Sequence, residues 1–503
     1  MAEVREMRDR LAAAPSEIFN KTILRPLFAF KRRHWFYPLM TTHKAWTVVL
    51  YEAGVIDRSD AARLLAALSE LEAAGPDALG EFNPAFEYFY LHAERALSQK
   101  LGEDVVGNLN LGRTRPEPLS RMVTRGRLLD LADRLAGLRK TVQGLAAQYR
   151  DTVMPGYTHL QHAQPTTFGH YLLAFEDNLA RDFQRLRAAY DNVNANTLGC
   201  GALAGSALPI DRDRLSSLLG FHTTRENTLD CVAGVDHMVE AVAMLANLMQ
   251  TMSRVAMDID VWASFEFNMV DFGDEFAGTS SLMPQKKNPY PCEYIRSRAG
   301  HIIGDLTSVL TVSHNTFFQD TEDICIEVLA PTWRAFDTAD TSLELMTGFL
   351  ATVTPKEEVM RARSAQGFST ATALADLIHA RCGLSYRTGH RIVGRTVLAA
   401  IGQGKGALEV TPEMVQAAAR EVTGEPLALT AEEVRRALDP SQFVQAHKIK
   451  GGPAPEVLAG MLETRASALA ADQGWVAERR RSLAEAADAL AGAVDRIVEG
   501  VFA

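Results

Sequence analysis

Apolar residues recur at intervals of three and four along five long stretches between residues 116 and 352, and these stretches contain almost no proline. The first runs from Met122 through Leu135 to Ala146. Such spacing places the apolar side chains on one face of a helix of about thirty residues. Because ordinary helices average about eleven residues, the pattern predicts an all-α fold built around a bundle of long helices.

The other four stretches extend the same bundle. The third contains Met249, Met252 and Met257, which indicate burial on several sides, as in a helix that subunits share. We therefore expect the bundle to oligomerise. The fifth contains Pro331, where the missing backbone N–H predicts a kink. The four stretches are expected at about residues 168–194, 229–265, 292–315 and 322–351.

Shorter helical patterns flank the bundle and divide the chain into three helical regions. We expect an N-terminal domain of short helices at residues 1–115 and a smaller helical domain at residues 353–503. The central domain, residues 116–352, holds the bundle and a loop at residues 270–290 that we predict to be catalytic.

The composition argues against several classes of function. The 503 residues are 47% hydrophobic with a net charge of −10, which suits a globular enzyme and not a binder of nucleic acid or acidic membranes. No apolar run approaches the roughly 18 residues of a membrane span, and the N-terminal segment is charged throughout. The five cysteines lack metal-ligand spacing, so we expect reduced thiols, no metal and a cytoplasmic protein.

The loop at residues 270–290 contains an unusual segment, Gly278–Asn288. Ser280 and Ser281 follow a glycine and a threonine, and two lysines and an asparagine come within eight residues of Ser280. Backbone N–H groups in such a loop can form an anion-binding concavity. The segment therefore favours a negative charge developing on a substrate oxygen or on a serine oxygen. The alternative is a surface loop whose lysines are only solvated.

The ten residues that begin at Ser280, SSLMPQKKNP, resemble the signature of the fumarase/aspartase superfamily and are most similar to that of argininosuccinate lyase. The resemblance extends from about residue 30 to about residue 450. It implies a homotetramer whose central helices form one core and whose active sites are shared between subunits. It also implies that Ser280 is a catalytic base and that Ser281 and Asn288 bind substrate. Lys286 and Asn288 would stabilise the negative charge.

A second segment, Met154–Pro165, lies between the first two long helices. Thr158, His159 and Gln164 supply a hydroxyl, an imidazole and an amide that can bind a carboxylate or relay a proton. A histidine here could also simply cap a helix. The resemblance to the family motif GYTHLQxAQP implies that His159 is catalytic and that Thr158 and Gln164 bind substrate. His162 occupies the position that the motif leaves open, so we interpret it as structural.

A third segment, Asn108–Pro118, contains two arginines, and a guanidinium grips a carboxylate with two hydrogen bonds. We expect Arg113 and Arg115 to form a carboxylate clamp. The family has a substrate-binding asparagine where this chain has Pro116, which lacks an N–H group. The clamp must therefore be built differently, and Asn110 is the candidate for the missing contact.

Glu293 follows Asn288 by five residues. In the superfamily, a glutamate at this offset supports the catalytic histidine of another subunit. A carboxylate on one imidazole nitrogen fixes the tautomer and raises the basicity of the ring. The alternative is an acid in the first turn of a helix, which the helix dipole favours. Both interpretations fit the sequence.

Together these residues suggest a β-elimination that releases fumarate from an N-substituted aspartate without a metal or organic cofactor. Family members grip the amino-acid end of argininosuccinate with an arginine where this chain has Val235, and Glu322 replaces a family lysine. His314 replaces a tyrosine, Gln319 is retained, and both are expected to bind substrate. Because an unpaired carboxylate suits a zwitterionic arginine poorly, we predict an aminopolycarboxylate substrate such as ethylenediamine-N,N'-disuccinate (EDDS).

Two alternatives stay open. The chain could be a true argininosuccinate lyase with a shifted site for the amine half. It could also be a catalytically silent structural member of the superfamily, as lens crystallins of this fold can be. The intact set of Ser280, Lys286, Asn288, His159 and Glu293 argues against the second alternative.

Overall fold

The computed structural model describes residues 13–114 and 118–502, with side chains placed up to residue 500. The fold is all-α, as predicted, and 72% of the chain is helical. Within these ranges, three small sheets of two strands each interrupt the helices.

The N-terminal region contains α1 (Arg25–Glu52), α2 (Arg58–Ala74), α3 (Phe89–Leu101) and α4 (Glu103–Gly107). The expectation of short helices is wrong for α1, which continues for 28 residues through Pro38. A proline inside a helix removes one backbone hydrogen bond. Around it, Trp35, Phe36, Leu39 and Met40 are buried in the core, and this burial offsets the loss.

The bundle region contains α5 (Leu119–Gln148), α6 (Phe168–Val193), α7 (Arg212–Leu219), α8 (Thr228–Ala233), α9 (Asp236–Ala263), α10 (Tyr290–Ser313) and α11 (Leu329–Leu350). The five predicted long helices are present as α5, α6, α9, α10 and α11. The third is shorter than predicted, because the backbone of Gly234 is extended and separates α8 from α9. The stretch predicted as the fifth helix is divided just before Pro331, because Asp323–Glu327 form a π-helix and α11 begins only at Leu329; the kink at Pro331 stays a prediction. Pro331 lies in the first turn of α11, where a backbone N–H has no partner within the helix.

The C-terminal region contains α12 (Glu357–Ala365), α13 (Ala371–Cys382), α14 (Tyr386–Gly402), α15 (Pro412–Thr423), α16 (Ala431–Leu438), α17 (Pro440–Ala446) and α18 (Pro455–Phe502). Apolar residues between Leu374 and Leu438 form a small separate core. The 48-residue helix α18 instead packs along α2 and α5. It also contacts α6, where Trp475 meets the ring of Tyr190 edge-on at 5.2 Å. The predicted C-terminal region thus contributes to two cores.

The short sheets lie beside segments predicted to carry function. The strands are β1 (Val153–Thr158), β2 (Gln161–Thr167), β3 (Ala195–Asn196), β4 (Thr223–Thr224), β5 (Val270–Asp271) and β6 (Thr354–Pro355). β1 and β2 form an antiparallel hairpin, β3 pairs in parallel with β4, and β5 pairs antiparallel with β6. The hairpin presents the Thr158–His159 segment at its tip, and β5 leads into the Gly278–Asn288 segment, called the serine loop below.

A buried ion triad joins three long helices. Arg139 of α5 donates to Glu176 of α6 at 3.0 Å and to Asp472 of α18 at 2.6 Å. All three side chains are buried. Charges are tolerated in a core when they are paired and hydrogen bonded, so the triad ties α5, α6 and α18 together at one point.

The outer faces of α9 and α10 carry exposed apolar side chains, among them Met257, Ile303 and Leu310. Met249 and Met252 are fully buried inside the chain, so their burial does not require a second subunit. Exposed apolar residues on long helices are what a subunit contact would cover, and the tetramer stays a prediction. Within the described residues, no helix is long and apolar enough to cross a membrane.

Candidate active site

The tip of the β1–β2 hairpin presents predicted site residues to solvent. Thr158, His159 and Leu160 are all exposed. His159 and Leu160 have φ angles of 55° and 58°, in the left-handed region that asparagine and glycine usually occupy in two-residue hairpin turns. Other residues held there cost on the order of 1–3 kcal/mol each, and such strain clusters at functional sites. The strain therefore supports a functional role for the tip.

Aromatic packing beneath the tip holds the hairpin in place. The rings of Tyr157 and Phe267 lie 6.2 Å apart, and His162 meets Tyr157 edge-on at 5.3 Å. His162 also contacts the carbonyl oxygen of Gln366 through Nδ1 at 3.4 Å, which fits its structural interpretation. Gln164 on β2 is exposed, as a substrate contact requires.

The serine loop is closed at its neck by main-chain pairing. The N–H of Gly278 donates to the carbonyl oxygen of Asn288 at 2.8 Å, and the N–H of Asn288 donates back at 3.1 Å. The side-chain amide of Asn288 adds a third hydrogen bond, to the carbonyl oxygen of Gly278 at 3.0 Å. A Cβ at residue 278 would lie 2.1 Å from the ring of Tyr290, so the neck requires glycine.

Inside the loop, Ser280 Oγ accepts hydrogen bonds from two backbone N–H groups, that of Met283 at 3.0 Å and that of Leu282 at 3.4 Å. Donors aimed at an oxygen stabilise negative charge on it. Ser281 and Lys286 are exposed nearby, and Lys286 forms no ion pair with a residue that the structure describes. The loop therefore contains the backbone donors that the sequence reasoning expected around the serine oxygen.

The second lysine of the loop has different surroundings. Lys287 forms ion pairs with Asp271 and Asp274, each at 2.9 Å, and also donates to the carbonyl oxygen of Phe272. The hydrogen bond from Lys287 is the main cause that lowers the pKa of Asp271. Lys287 therefore anchors the loop to β5 and the residues that follow it, whereas Lys286 extends into solvent.

Glu293 lies in the first turn of α10 and is exposed. In the described part of the chain, no hydrogen bond or ion pair joins it to His159, and no ring or polar contact joins the hairpin tip to the serine loop. One chain thus presents these elements separately.

Two residues predicted for the carboxylate clamp, Arg113 and Asn110, form hydrogen bonds with other side chains of the protein. Arg113 Nη1 donates to His43 Nδ1 at 2.9 Å, and Asn110 Nδ2 donates to Glu94 Oε1 at 3.1 Å. Burial, with a smaller effect of Arg113, lowers the pKa of His43 well below its ordinary value. Burial also raises the pKa of Glu94. Arg115 lies outside the described residues.

Two adjoining cavities open beside this clamp. The larger, of about 290 Å³, is lined by Lys31 and Glu322 among aromatic side chains. The smaller, of about 70 Å³, is lined by Arg121 and His237. Thr114, Trp35, Asp320 and Cys325 line both. Neither is lined by residues of the hairpin tip or of the serine loop.

In the larger cavity, Glu322, which replaces a family lysine, lies together with the cationic side chain of Lys31. Burial lowers the pKa of Lys31, and Glu322 and Asp320 act against this effect, which places all three charges near one another. The ammonium of Lys31 also lies 5.1 Å from the ring centroid of Trp35. Glu322 therefore faces a cation from α1, which the sequence reasoning missed because Lys31 is distant in the chain.

His314 and Gln319 do not line either cavity. His314 Nδ1 contacts the carbonyl oxygen of Thr311 at 2.7 Å at the end of α10. Both predicted residues are exposed, so they are placed where a second chain or a substrate could reach them.

Comparison with known proteins identifies the family. A family model described as "Lyase" matches residues 40–304, and one described as "Argininosuccinate lyase C-terminal" matches residues 368–445. Argininosuccinate lyase of Methanosarcina acetivorans is 36% identical over 97% of this chain and 98% of its own length. That of Haloarcula marismortui is 36% identical over 98% of this chain and 96% of its own length.

Solved structures agree. The crystal structure of EDDS lyase in complex with formate superposes with a TM-score of 0.85 at 33% identity, covering 97% of both chains. Class II fumarase from Schistosoma mansoni shares the fold, with a TM-score of 0.65 at 14% identity over 88% of this chain and 94% of its own. The chain therefore belongs to the fumarase/aspartase superfamily as an argininosuccinate lyase-like carbon–nitrogen lyase.

Proposed function

We propose that the protein releases fumarate from an N-substituted aspartate by anti β-elimination, with Ser280 as the base. The observation that carries this proposal is that Ser280 Oγ accepts hydrogen bonds from the backbone N–H groups of Leu282 and Met283. A serine hydroxyl in water is a very weak base. Donors that stabilise its anion lower the pKa of the hydroxyl, and the nearby charge of Lys286 acts in the same direction.

In this mechanism, Ser280 Oγ removes a proton from the carbon next to the one that bears nitrogen. The electrons move onto the neighbouring carboxylate, which becomes a dianionic aci-carboxylate. Lys286 and Asn288 stabilise that charge. The C–N bond then breaks, and the leaving nitrogen takes a proton from His159 or from solvent, so that fumarate and the protonated amine leave. Thr158 and Arg115 hold carboxylates, and His159 orients the substrate near the leaving amine. In reverse, the amine adds to fumarate.

We also propose that the active site forms between subunits of a homotetramer. In one chain, the hairpin tip, Glu293 and most of the serine loop are exposed. Among the described residues, no hydrogen bond, ion pair or ring contact joins the tip to the loop or to Glu293. Such separate elements become one site when long helices from neighbouring subunits pack side by side. The exposed apolar side chains of α9 and α10 supply a surface for that packing.

For the substrate, argininosuccinate is the first candidate. The argininosuccinate lyases compared above align with this chain over nearly their whole length. They favour argininosuccinate over the aminopolycarboxylate substrate that was predicted first from the sequence. The objection that rested on Glu322 is weaker in the structure, because Lys31 lies in the same cavity. A carboxylate with a cationic neighbour is compatible with a zwitterionic amine half.

EDDS is the second candidate, and two observations favour it. Val235 provides no cation where the family has an arginine, and the likeness to EDDS lyase covers 97% of both chains. The exposed His314 is also a different group from the tyrosine of the family motif.

The test is fumarate release from argininosuccinate and from EDDS in parallel, followed by ultraviolet absorbance. Turnover of argininosuccinate supports the first candidate, and turnover of EDDS alone supports the second. If neither substrate is cleaved by the folded oligomer, while a known argininosuccinate lyase is active in the same assay, both candidates fail. That outcome would favour the silent structural member.

A further inference from the structure

Two cysteines that are distant in sequence meet beside the smaller cavity. Cys200 is fully buried in the turn between β3 and α7, and Cys231 is half-buried on α8. The thiol of Cys200 donates a hydrogen bond to the sulfur of Cys231. Because this contact already brings the two sulfurs together, a small approach takes them to the roughly 2.05 Å of a disulfide bond. These two residues, which we call the thiol pair, are therefore placed to react with each other.

A tight turn fixes the backbone that carries Cys200. The N–H of Gly205 donates to the carbonyl oxygen of Cys200 at 2.7 Å. Gly201 has a φ angle of 59°, and a Cβ at this position would lie 2.3 Å from the carbonyl oxygen of Gly205. Only glycine fits such a close approach at a positive φ angle. The position of the Cys200 sulfur is therefore set by the turn and by the core around it.

Arg212 joins this turn to the second cysteine. Its Nε donates to the carbonyl oxygen of Leu198 at 3.0 Å, and its Nη2 donates to Cys231 Sγ at 3.3 Å. A guanidinium beside a sulfur stabilises the thiolate. The hydrogen bond from Cys200 is the main cause that lowers the pKa of Cys231 to about 6; burial opposes it, and the charges of Arg212 and Arg121 support it. Cys231 is therefore largely a thiolate at neutral pH.

A third cysteine on the same cavity has the opposite character. Cys325 lines the smaller cavity together with Cys231. Burial raises the pKa of Cys325, and the charges of Asp320 and Glu322 raise it further. Its thiol donates to the carbonyl oxygen of Thr321 at 3.0 Å. Since only thiolates are good nucleophiles, Cys325 is an unreactive thiol within reach of the same small reagents.

We propose that Cys231 is an oxidation site for hydroperoxides and that Cys200 resolves its oxidised form into a Cys200–Cys231 disulfide. The smaller cavity, of about 70 Å³, gives a molecule as small as hydrogen peroxide access to the Cys231 sulfur. This inference goes beyond the proposed function, because it concerns the chemistry of the cavity wall and not the cleavage of a substrate.

The oxidation has two steps. The Cys231 thiolate attacks one oxygen of hydrogen peroxide, so that an S–O bond forms, the O–O bond breaks, and the hydroxide that leaves takes a proton from solvent. Cys231 is thereby oxidised to a sulfenic acid, and the peroxide is reduced to water. The sulfur of Cys200 then attacks the sulfur of Cys231. The S–S bond forms, the S–O bond breaks, and the departing hydroxide takes the proton of the Cys200 thiol and leaves as water.

Disulfide formation changes the charge of the cavity wall. It removes the negative charge of the Cys231 thiolate, which acts on Arg212 and Arg121. The wall then becomes more positive by about one charge at neutral pH. Thr114, which follows Arg113 of the predicted clamp, lines the same cavity. The redox state of the thiol pair is therefore coupled to the electrostatics of the candidate site, and a dithiol reductant restores the original state.

The first test measures how fast each cysteine of the native protein is alkylated by iodoacetamide at pH 7, with peptide mass spectrometry after digestion. A lowered pKa increases the thiolate fraction and decreases the nucleophilicity of that thiolate, and the first effect is the larger one here. We expect Cys231 to be alkylated at least about tenfold faster than Cys325. Because both cysteines line one cavity, the comparison separates reactivity from access.

The second test treats the native protein with a small molar excess of hydrogen peroxide, blocks the remaining thiols with N-ethylmaleimide, and maps the peptides without reduction. We expect a peptide pair joined through Cys200 and Cys231 that dithiothreitol separates. Cys200→Ser should form no such disulfide, and its Cys231 sulfenic acid should be trapped by dimedone. Cys325→Ser is the matched control and should form the same disulfide as the wild type.

The inference is overturned if Cys231 is alkylated no faster than Cys325, or if peroxide leaves Cys200 and Cys231 as free thiols. It is also overturned if Cys231 forms its disulfide with a cysteine other than Cys200. All of these outcomes are read on the wild-type protein, so they do not depend on whether a variant folds. They are also independent of fumarate release, so the inference and the proposed function can fail separately.

Discussion

The two adjacent lysines of the serine loop provide a paired perturbation. Lys286→Met and Lys287→Met remove the same charge from neighbouring positions, yet the two side chains have different surroundings. Lys287 is tied to Asp271 and Asp274, whereas Lys286 is exposed. We expect Lys286→Met to lose catalysis with little change in stability, and Lys287→Met to lose stability with a smaller loss of catalysis.

The magnitudes follow from these surroundings. The partners of Lys287 are 50% and 94% exposed, and such solvated ion pairs contribute about 0.2–1 kcal/mol each. With the hydrogen bond to the Phe272 carbonyl, the loss in Lys287→Met is about 1–3 kcal/mol. Exposed positions without partners change stability by about 0.5 kcal/mol or less. Removing a group that stabilises a developing oxyanion typically lowers kcat about 10²- to 10³-fold.

The assay measures kcat and KM by fumarate absorbance, and the melting temperature of each variant by calorimetry on the same preparations. For Lys286→Met, the expected result is a large fall in kcat at an unchanged melting temperature. For Lys287→Met, it is a lower melting temperature with a smaller fall in kcat. If Lys286→Met keeps kcat within about tenfold of the wild type, the assignment of Lys286 as a charge stabiliser is wrong.

Three further predictions concern the pH dependence, the hairpin tip and the neck of the loop. Asp182 is 1% exposed, and burial raises its pKa from 3.8 to about 6, so its contribution to stability is present below about pH 4 and is lost as the pH rises through about 6. Asp182→Asn should therefore gain up to about 3 kcal/mol above pH 7 and nothing near pH 4; an equal shift in melting temperature at both pH values would contradict this. Leu160→Gly should be about 1 kcal/mol more stable in denaturant titration than Leu160→Ala, because only glycine relieves the positive φ; equal stability would show that the turn is unstrained. Asn288→Ala should lower kcat about 10²-fold, because Asn288 stabilises the developing charge. A fall of only roughly fivefold, which corresponds to the loss of one neutral hydrogen bond, would mean that Asn288 only closes the neck of the loop.

The long helices were predictable from sequence because apolar spacing over about thirty residues has few alternatives. The break at Gly234 was not, since Leu229 and Val235 continue the apolar pattern across it. The passage of α1 through Pro38 depends on tertiary burial that outweighs the local cost of proline. The β1–β2 hairpin was missed because His159 and Leu160 form its turn without the asparagine or glycine that usually signals one.

The residues of the candidate site also fall into two groups: those that the sequence identifies and those that only the structure identifies. Ser280, Lys286 and Asn288 could be selected because they lie in one short segment with recognisable chemistry. Arg121 and His237 are 116 residues apart, and each is an ordinary residue in its own helical pattern. Lys31 likewise meets Asp320 and Glu322 only through folding. Such pairs carry no local signal, and only the packed structure brings them together.

The most direct test of the central claim is the rate of fumarate release by Ser280→Ala at saturating substrate, with substrate binding measured separately by calorimetry. If Ser280 removes the proton, the variant still binds the substrate, and its kcat falls by at least about 10³-fold. A Ser280→Ala enzyme that releases fumarate at the wild-type rate would show that another group is the base.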